Sequence, residues 1–251
     1  SSAASDVYKR QAKIGQPMGM IYGYIYEGTY KYDDFDKSGS SYTLKGNIPH
    51  YVSESNTQPG MPKYKDLNGD GVIDTNDRTM IGRGLPIHTG GFTNNFEYKG
   101  FDLSVFFQWS YGNDVLNANR LFFDSGFQKK RELNQYASYT DRWTPENPNS
   151  NIPAATNSSS NLVISSRVVE DASFLRLKTV TLGYTVPKTF LKKYKIDNAR
   201  LYVAAQNLWT ITGYSGYDPE VSIRSGGLTP GLDFSSYPRA LSVSFGINLG
   251  F

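Results

Sequence analysis

The sequence predicts an all-β protein: antiparallel strands forming the C-terminal part of a large transmembrane β-barrel, present here as an incomplete, open curved sheet with long outer loops. Three observations lead there. Several segments alternate apolar and polar residues with a period of two, which gives a strand two different faces. The connections between those segments alternate short and long, as in outer-membrane barrels. The chain closes on "ALSVSFGINLGF", where Leu241, Val243, Phe245, Ile247, Leu249 and Phe251 share one face and Ser242, Ser244, Gly246, Asn248 and Gly250 the other.

Composition agrees. Of 251 residues, 38% are hydrophobic, low for a packed globule, yet 14% are aromatic, with 19 tyrosines. No apolar run approaches the roughly 20 residues of a membrane helix. That excludes helical spans but leaves a barrel open, where only alternate residues meet lipid. The net charge of +3 is spread thinly. The short basic groups, Lys129 to Arg131 and Lys192, Lys193 and Lys195, read as solvated turns, because a nucleic-acid surface shows a denser stripe. Cysteine is absent, which removes disulfides, thiolate metal sites and thiol catalysis.

Taken in order, residues 1–11, "SSAASDVYKRQ", share no pattern with the rest of the chain. Lacking an initiator Met, a signal peptide and a lipid-attachment Cys, they read as a non-native, adaptor-like segment on a C-terminal fragment. Residues 12–86 read as an outer-loop region with a candidate sixth strand at 19–32. Strand 87–98 reaches a tight turn at Lys99 and Gly100, then strand 101–110 sets Phe101, Leu103, Val105, Phe107 and Trp109 on one face. Loop 111–172 is long and polar. Within it, 114–139 shows helical periodicity, and 142–155 reads as extended because of Pro145, Pro148 and Pro153. Strand 173–186 sets Phe174, Val180, Leu182 and Tyr184 on one face, interrupted by Arg176 and Lys178. A short link, 188–198, leads to strand 199–209, where Leu201, Val203 and Ala205 alternate with Tyr202, Ala204 and Gln206. The long loop 210–238 precedes the closing strand, 239–251.

Counting back from a periplasmic C-terminus, the long connections fall outside and the short ones inside at every step. Strand length also fits the roughly 9–11 residues of a tilted membrane strand. Outer-membrane barrels have at least about 8 strands, so five or six cannot close one alone.

The most specific local motif is "DLNGDGVIDTND", residues 66–77. Its spacing matches a 12-residue calcium loop: Asp66, Asn68, Asp70, the carbonyl of Val72, Asp74 and Asp77 as ligands, with Gly71 at the sharp turn. Six or more oxygens converging on one point suit Ca2+ or Mg2+ in a structural role. Asp77 stands where the standard loop has Glu, which shortens the reach of the last ligand. Neither flank is helical, so a metal-stapled loop fits better than an EF-hand, and an Asx-rich turn without metal is the alternative.

No catalytic constellation appears. His50 and His88 are the two histidines, and neither has zinc-ligand spacing to the other. "GYSGY" at 213–217 lacks the nucleophile-elbow spacing, and no phosphate-cradling glycine pattern occurs. A glycosidase pair among the loop carboxylates is not marked out. Trp143 reads as a loop-packing anchor or a carbohydrate-stacking platform.

Several motifs in sequence resemble one family. "YKDLNGDGVIDTNDRTMIG", "GFTNNFEYKGFDLSVFFQWSYGNDV", "RWTPENPNSNIP", "SFLRLKTVTLGYTVP", "ARLYVAAQNLWTITGYSGYDPEVS" and "LSVSFGINLGF" are similar to the C-terminal part of SusC/RagA-type TonB-dependent outer-membrane transporters of Bacteroidetes. The resemblance implies a barrel of about 22 strands with a plug and a TonB-binding segment that have no counterpart here. It also implies a SusD-like surface lipoprotein as partner, an oligosaccharide or peptide as substrate, and contact with outer-membrane lipid. Phe251 resembles the family's terminal assembly signal. The expected function is binding and gated import without bond chemistry. The alternative is a calcium-stabilised β-rich glycan-binding module of the cell surface without transport.

Overall fold

The computed structural model describes residues 15–126, 134–156, 161–221 and 230–251. The expectations for residues 1–11 and for the basic group at 129–131 lie outside them. In chain order the strands are β1 (Met20–Gly23), β2 (Tyr26–Thr29), β3 (Phe35–Ser38), β4 (Ser41–Leu44), β5 (Pro62–Tyr64), β6 (Thr79–Arg83), β7 (His88–Tyr98), β8 (Phe101–Tyr111), β9 (Asp114–Asn117), β10 (Val169–Asp171), β11 (Phe174–Thr185), β12 (Asn198–Thr212), β13 (Leu232–Asp233) and β14 (Ser242–Gly250). Helix α1 is Ala118–Phe123 and α2 is Lys188–Leu191. Contacts divide the chain into two units. One comprises Ser1–Leu85, Asp114–Glu170 and Val221–Ser236. The other comprises Pro86–Asn113, Asp171–Glu220 and Tyr237–Phe251.

The second unit is a five-stranded antiparallel sheet in the order β14-β12-β11-β8-β7. Its hairpin turn has φ of +48° at Lys99 and +85° at Gly100. Positive φ at both central residues is the tight turn whose twist matches paired strands. Register then sorts the side chains. Tyr98 pairs with Phe101, Phe101 with Tyr184, Tyr184 with Leu201 and Leu201 with Ile247. Directly paired residues lie on the same face, so these five form one apolar rung. The next rung is Phe96, Leu103, Leu182, Val203 and Phe245. The opposite face carries Glu97, Asp102, Arg200, Asn248 and similar polar or small residues. Gly246 is required there, because a Cβ would collide with the Tyr202 ring paired opposite it.

The alternation changes phase inside β11. Leu177 pairs with Phe107 and Thr179 with Phe106, so Lys178 is an extra residue against β8. Against β12, Leu177 pairs with Trp209 and Thr179 with Gln206, so β12 carries one residue more still. Asn207 absorbs it at φ +53°, a conformation Asn tolerates better than most residues. This bulge corrects the sequence reading. Phe174 does not share a face with Val180, Leu182 and Tyr184. Leu175 and Leu177 do, and Phe174 and Arg176 point to the polar side.

The apolar face is not covered by a second layer. Phe245 is 82% exposed and Ile247 64%, and Phe92, Phe96, Leu182, Leu201, Trp209 and Ile211 are also exposed. Burying one such side chain contributes about 1.5–3 kcal/mol. Leaving a whole row in water would forfeit more than the ~5–15 kcal/mol of net stability of a typical domain. An apolar surround is the physical requirement of this face.

Besides these five strands there are three short antiparallel pairs, β1 with β6, β2 with β5 and β3 with β4, and a three-stranded sheet in the order β10-β9-β13, with β9 and β13 parallel. The expected single strand at 19–32 is two strands, outside the five-stranded sheet. Ile21, Tyr24 and Tyr30 enter three different clusters, the first with Leu116 and Val168, the second with Tyr64 and Ile73, the third with Phe35 and Leu44. The backbone bends between them. Of the helical expectation at 114–139, residues 127–133 lie outside the described ones; among those described, the α-helix is α1, capped by the Asn117 side chain, which accepts the Arg120 N–H at 3.2 Å.

No helix among the described residues is long and apolar enough to cross a membrane, which says nothing about crossing by strands.

Candidate functional site

The polar face of the sheet carries a network that the chain assembles from distant positions. Arg176, turned to that side by the bulge, is 3% exposed. Its Nε donates to Thr210 Oγ1 at 2.9 Å, Nη1 to Glu220 Oε2 at 2.6 Å, and Nη2 to Asp218 Oδ1 at 2.6 Å. Lys178 Nζ and Arg239 Nε each lie 3.2 Å from Glu220 Oε2. Asp218 also accepts the N–H of Glu220 at 2.9 Å and of Arg239 at 3.0 Å. Burial pushes the Asp218 carboxyl up. The Arg176 guanidinium and the two backbone N–H groups outweigh it and hold the group below the usual carboxylate range. A guanidinium fork serves two carboxylates at once, which a lysine ammonium cannot do with the same geometry. The network fixes residues 218–220, which follow β12, to the sheet's polar side.

At the short-turn end of the same face, Arg200 Nε donates to Asp102 Oδ1 at 3.0 Å, and a second guanidinium nitrogen contacts Oδ2. Gly183 leaves room for this pair.

The acidic loop 66–77 belongs to the first unit. Asp66 accepts the N–H groups of Gly69 at 2.7 Å and Gly71 at 2.9 Å. Those donors, Gly71 foremost, hold its carboxyl below the usual range. Asn68 Oδ1 accepts the Asp70 N–H at 3.0 Å, and Asp70 Oδ1 accepts the Val72 N–H at 2.8 Å. Asp74 accepts from Asn76, and Asp77, fully buried, accepts the N–H groups of Leu67 and Asp74 at 2.8 Å each. His50 pairs with the loop through its backbone, its N–H to the Gly71 carbonyl and its carbonyl to the Ile73 N–H. The six expected ligands are therefore brought into one loop. Their carboxylates accept backbone N–H groups of the loop, and among the described residues no three His, Cys, Asp or Glu side chains form a group that could hold a metal ion.

Elsewhere in that unit Asp124, fully buried, lies 3.3 Å from both Arg120 and Arg167 and accepts Ser138 Oγ at 3.1 Å. Trp143 is buried, its ring 5.4 Å from that of Tyr32 and lying over Gly60. That is the packing-anchor arrangement. His88 sits on the apolar side of the sheet, accepting Trp109 Nε1 at 3.1 Å.

Sequence reasoning missed the Arg176 network. Its one visible signal was the break in alternation at Arg176 and Lys178, and nothing local named partners 34 to 44 residues away.

No protein-family model matches the chain. A TonB-dependent receptor of Formosa agariphila is 36% identical over 258 residues, 100% of this chain and 24% of that relative. The TonB-dependent receptor SusC of Bacteroides thetaiotaomicron is 28% identical over 201 residues, 80% of this chain and 18% of the relative. Among solved structures, the RagAB peptide importer in its closed-closed state matches with a TM-score of 0.70 at 25% identity, over 97% of this chain and 24% of that one. The open-open state gives 0.66 at 25% identity, over 95% and 23%. The chain thus spans about a quarter of the length of the relatives it matches. They are receptors and transporters, not enzymes, and the sheet is part of a β-barrel of their type.

Proposed function

We propose that the chain forms part of the wall and outer loops of an outer-membrane nutrient importer, a reading supported by its likeness to TonB-dependent receptors over 100% of its length, to SusC over 80% and to RagAB over 97%. The observation that carries this reading is the two-faced sheet: a continuous exposed apolar side against a polar side bearing buried ion pairs. The apolar side meets acyl chains and the polar side meets the lumen, with the short connections periplasmic and the long ones outside. The importer takes up an oligosaccharide or a peptide, captured with a SusD-like surface lipoprotein and drawn in by TonB acting elsewhere in the receptor. The relatives named SusC and RagAB support this, RagAB being a peptide importer. The uncovered apolar face argues against the glycan-binding module, which would expose that surface to water.

The test is purification of the receptor carrying this segment from native outer membranes. Recovery in the outer-membrane fraction with a co-purifying lipoprotein, and substrate uptake abolished by a protonophore, is the expected result. Recovery in the soluble fraction contradicts it.

We further propose that loop 66–77 takes up Ca2+ as a structural staple, after its carboxylates turn toward a common point. The ligand spacing supports this, and each carboxylate oxygen has a second lone pair beyond its N–H partner. Asp66→Ala with Asp70→Ala should lower bound calcium and raise proteolysis of the loop without altering membrane insertion. Unchanged calcium content in that double variant removes the proposal.

A further inference from the structure

We propose that the short-connection end of the sheet holds a binding site for one anionic phospholipid of the leaflet it faces. This rests on the membrane reading above. Two independent features meet there. The first is a shallow, open apolar groove of about 620 Å³ on the sheet. It is lined by the rung Phe101, Tyr184, Leu201 and Ile247 and by Phe245 from the next rung. Its walls are apolar and accept a hydrocarbon chain, not a polar ligand.

The second feature is charge. The two connections at that end carry Lys99, Lys188, Lys192, Lys193 and Lys195, all exposed. Lys99 is two residues from the groove residue Phe101, and Lys188 is four residues from Tyr184. At ~3.4 Å per strand residue, a headgroup attached to a chain in the groove reaches this rim. Lys195 is held at φ +57°, closing the turn after α2. Phe190 and Tyr194, in the same link, are exposed as well, and such rings sit at the headgroup level of a bilayer. Arg200, the nearby arginine, is occupied by Asp102 on the opposite face, and the nearby acids are Glu97, Asp102 and Asp197. The balance favours an anionic headgroup over a zwitterionic one, since each surface lysine attracts anionic lipid.

Native mass spectrometry of the detergent-purified receptor reads this directly. After delipidation, phosphatidylglycerol and phosphatidylethanolamine of matched chains are added back. Phosphatidylglycerol should be retained roughly tenfold more, and K192E/K193E/K195E should erase that preference. Leu201→Trp, which fills the groove, should lower retention of both lipids. Equal retention of the two headgroups, or a preference that survives the lysine substitutions, overturns the inference while leaving the membrane reading intact. Recovery of the protein outside the membrane fraction overturns both.

Discussion

Arg176 shows how one side chain decides what a strand can carry. Its guanidinium is fully engaged by Thr210, Asp218 and Glu220, so truncation leaves two carboxylates short of a partner in a nearly dry site. Because Glu220 keeps Lys178 and Arg239 and Asp218 keeps two backbone N–H donors, Arg176→Ala is expected to cost about 1–3 kcal/mol, read as a lower unfolding temperature and faster proteolysis around residues 213–221. Arg176→Lys should recover part of this, because the charge remains while the fork does not. The pH dependence has a definite sign. The folded pKa of Asp218 is depressed, so its contribution is complete above the ordinary carboxylate value of about 3.9 and is lost as pH falls through the lowered one. Protection of that segment should hold at pH 5 and disappear only in stronger acid. Loss of protection between pH 7 and pH 5 would contradict the assignment.

At the scale of elements, the bulge in β11 reconciles a charged residue with a membrane-facing strand. A deletion series separates phase from length. A chain lacking Lys178 keeps the outward side chains of β11 in phase with β8, where that residue is the extra one, and leaves Asn207 and Leu208 as a two-residue bulge in β12. A chain lacking Ser104 in the regular strand β8 turns Asp102 outward and Phe101 and Leu103 inward. The first should still insert and the second should not, measured as recovery of heat-modifiable protein from the outer membrane. This contrast also marks how far the sequence could be read. Period-two patterning located all five sheet strands, because Phe101 to Trp109 alternates at every position but Phe106 and Val243 to Leu249 alternates without exception. It could not place Phe174 or Arg176, because a bulge shifts phase without a local signature beyond the interruption itself. The split of 19–32 into β1 and β2 was hidden for a related reason: a run of tyrosines satisfies a strand pattern whether one sheet or three small clusters receives it. The acidic loop was legible as a motif, and its backbone-tied carboxylates were not.

On the scale of the whole receptor, the proposal made above sets the apolar face of this sheet against hydrocarbon. Val243→Arg, level with Val105 in the middle of β8, should cost about 2–4 kcal/mol, whereas Ser244→Arg on the polar side should cost far less. Both are measured by equilibrium unfolding in vesicles. The chain has no cysteine, so within it single labels have no background. The most direct test places one nitroxide-labelled cysteine in turn at positions 242, 243, 244, 245 and 247 of the membrane-embedded receptor and measures collision with oxygen and with a water-soluble nickel chelate. Val243, Phe245 and Ile247 should meet oxygen and exclude the chelate, and Ser242 and Ser244 should show the reverse. Chelate access at the odd positions, or shielding of the odd positions from both reagents as in a dry protein interior, would contradict a lipid-facing sheet.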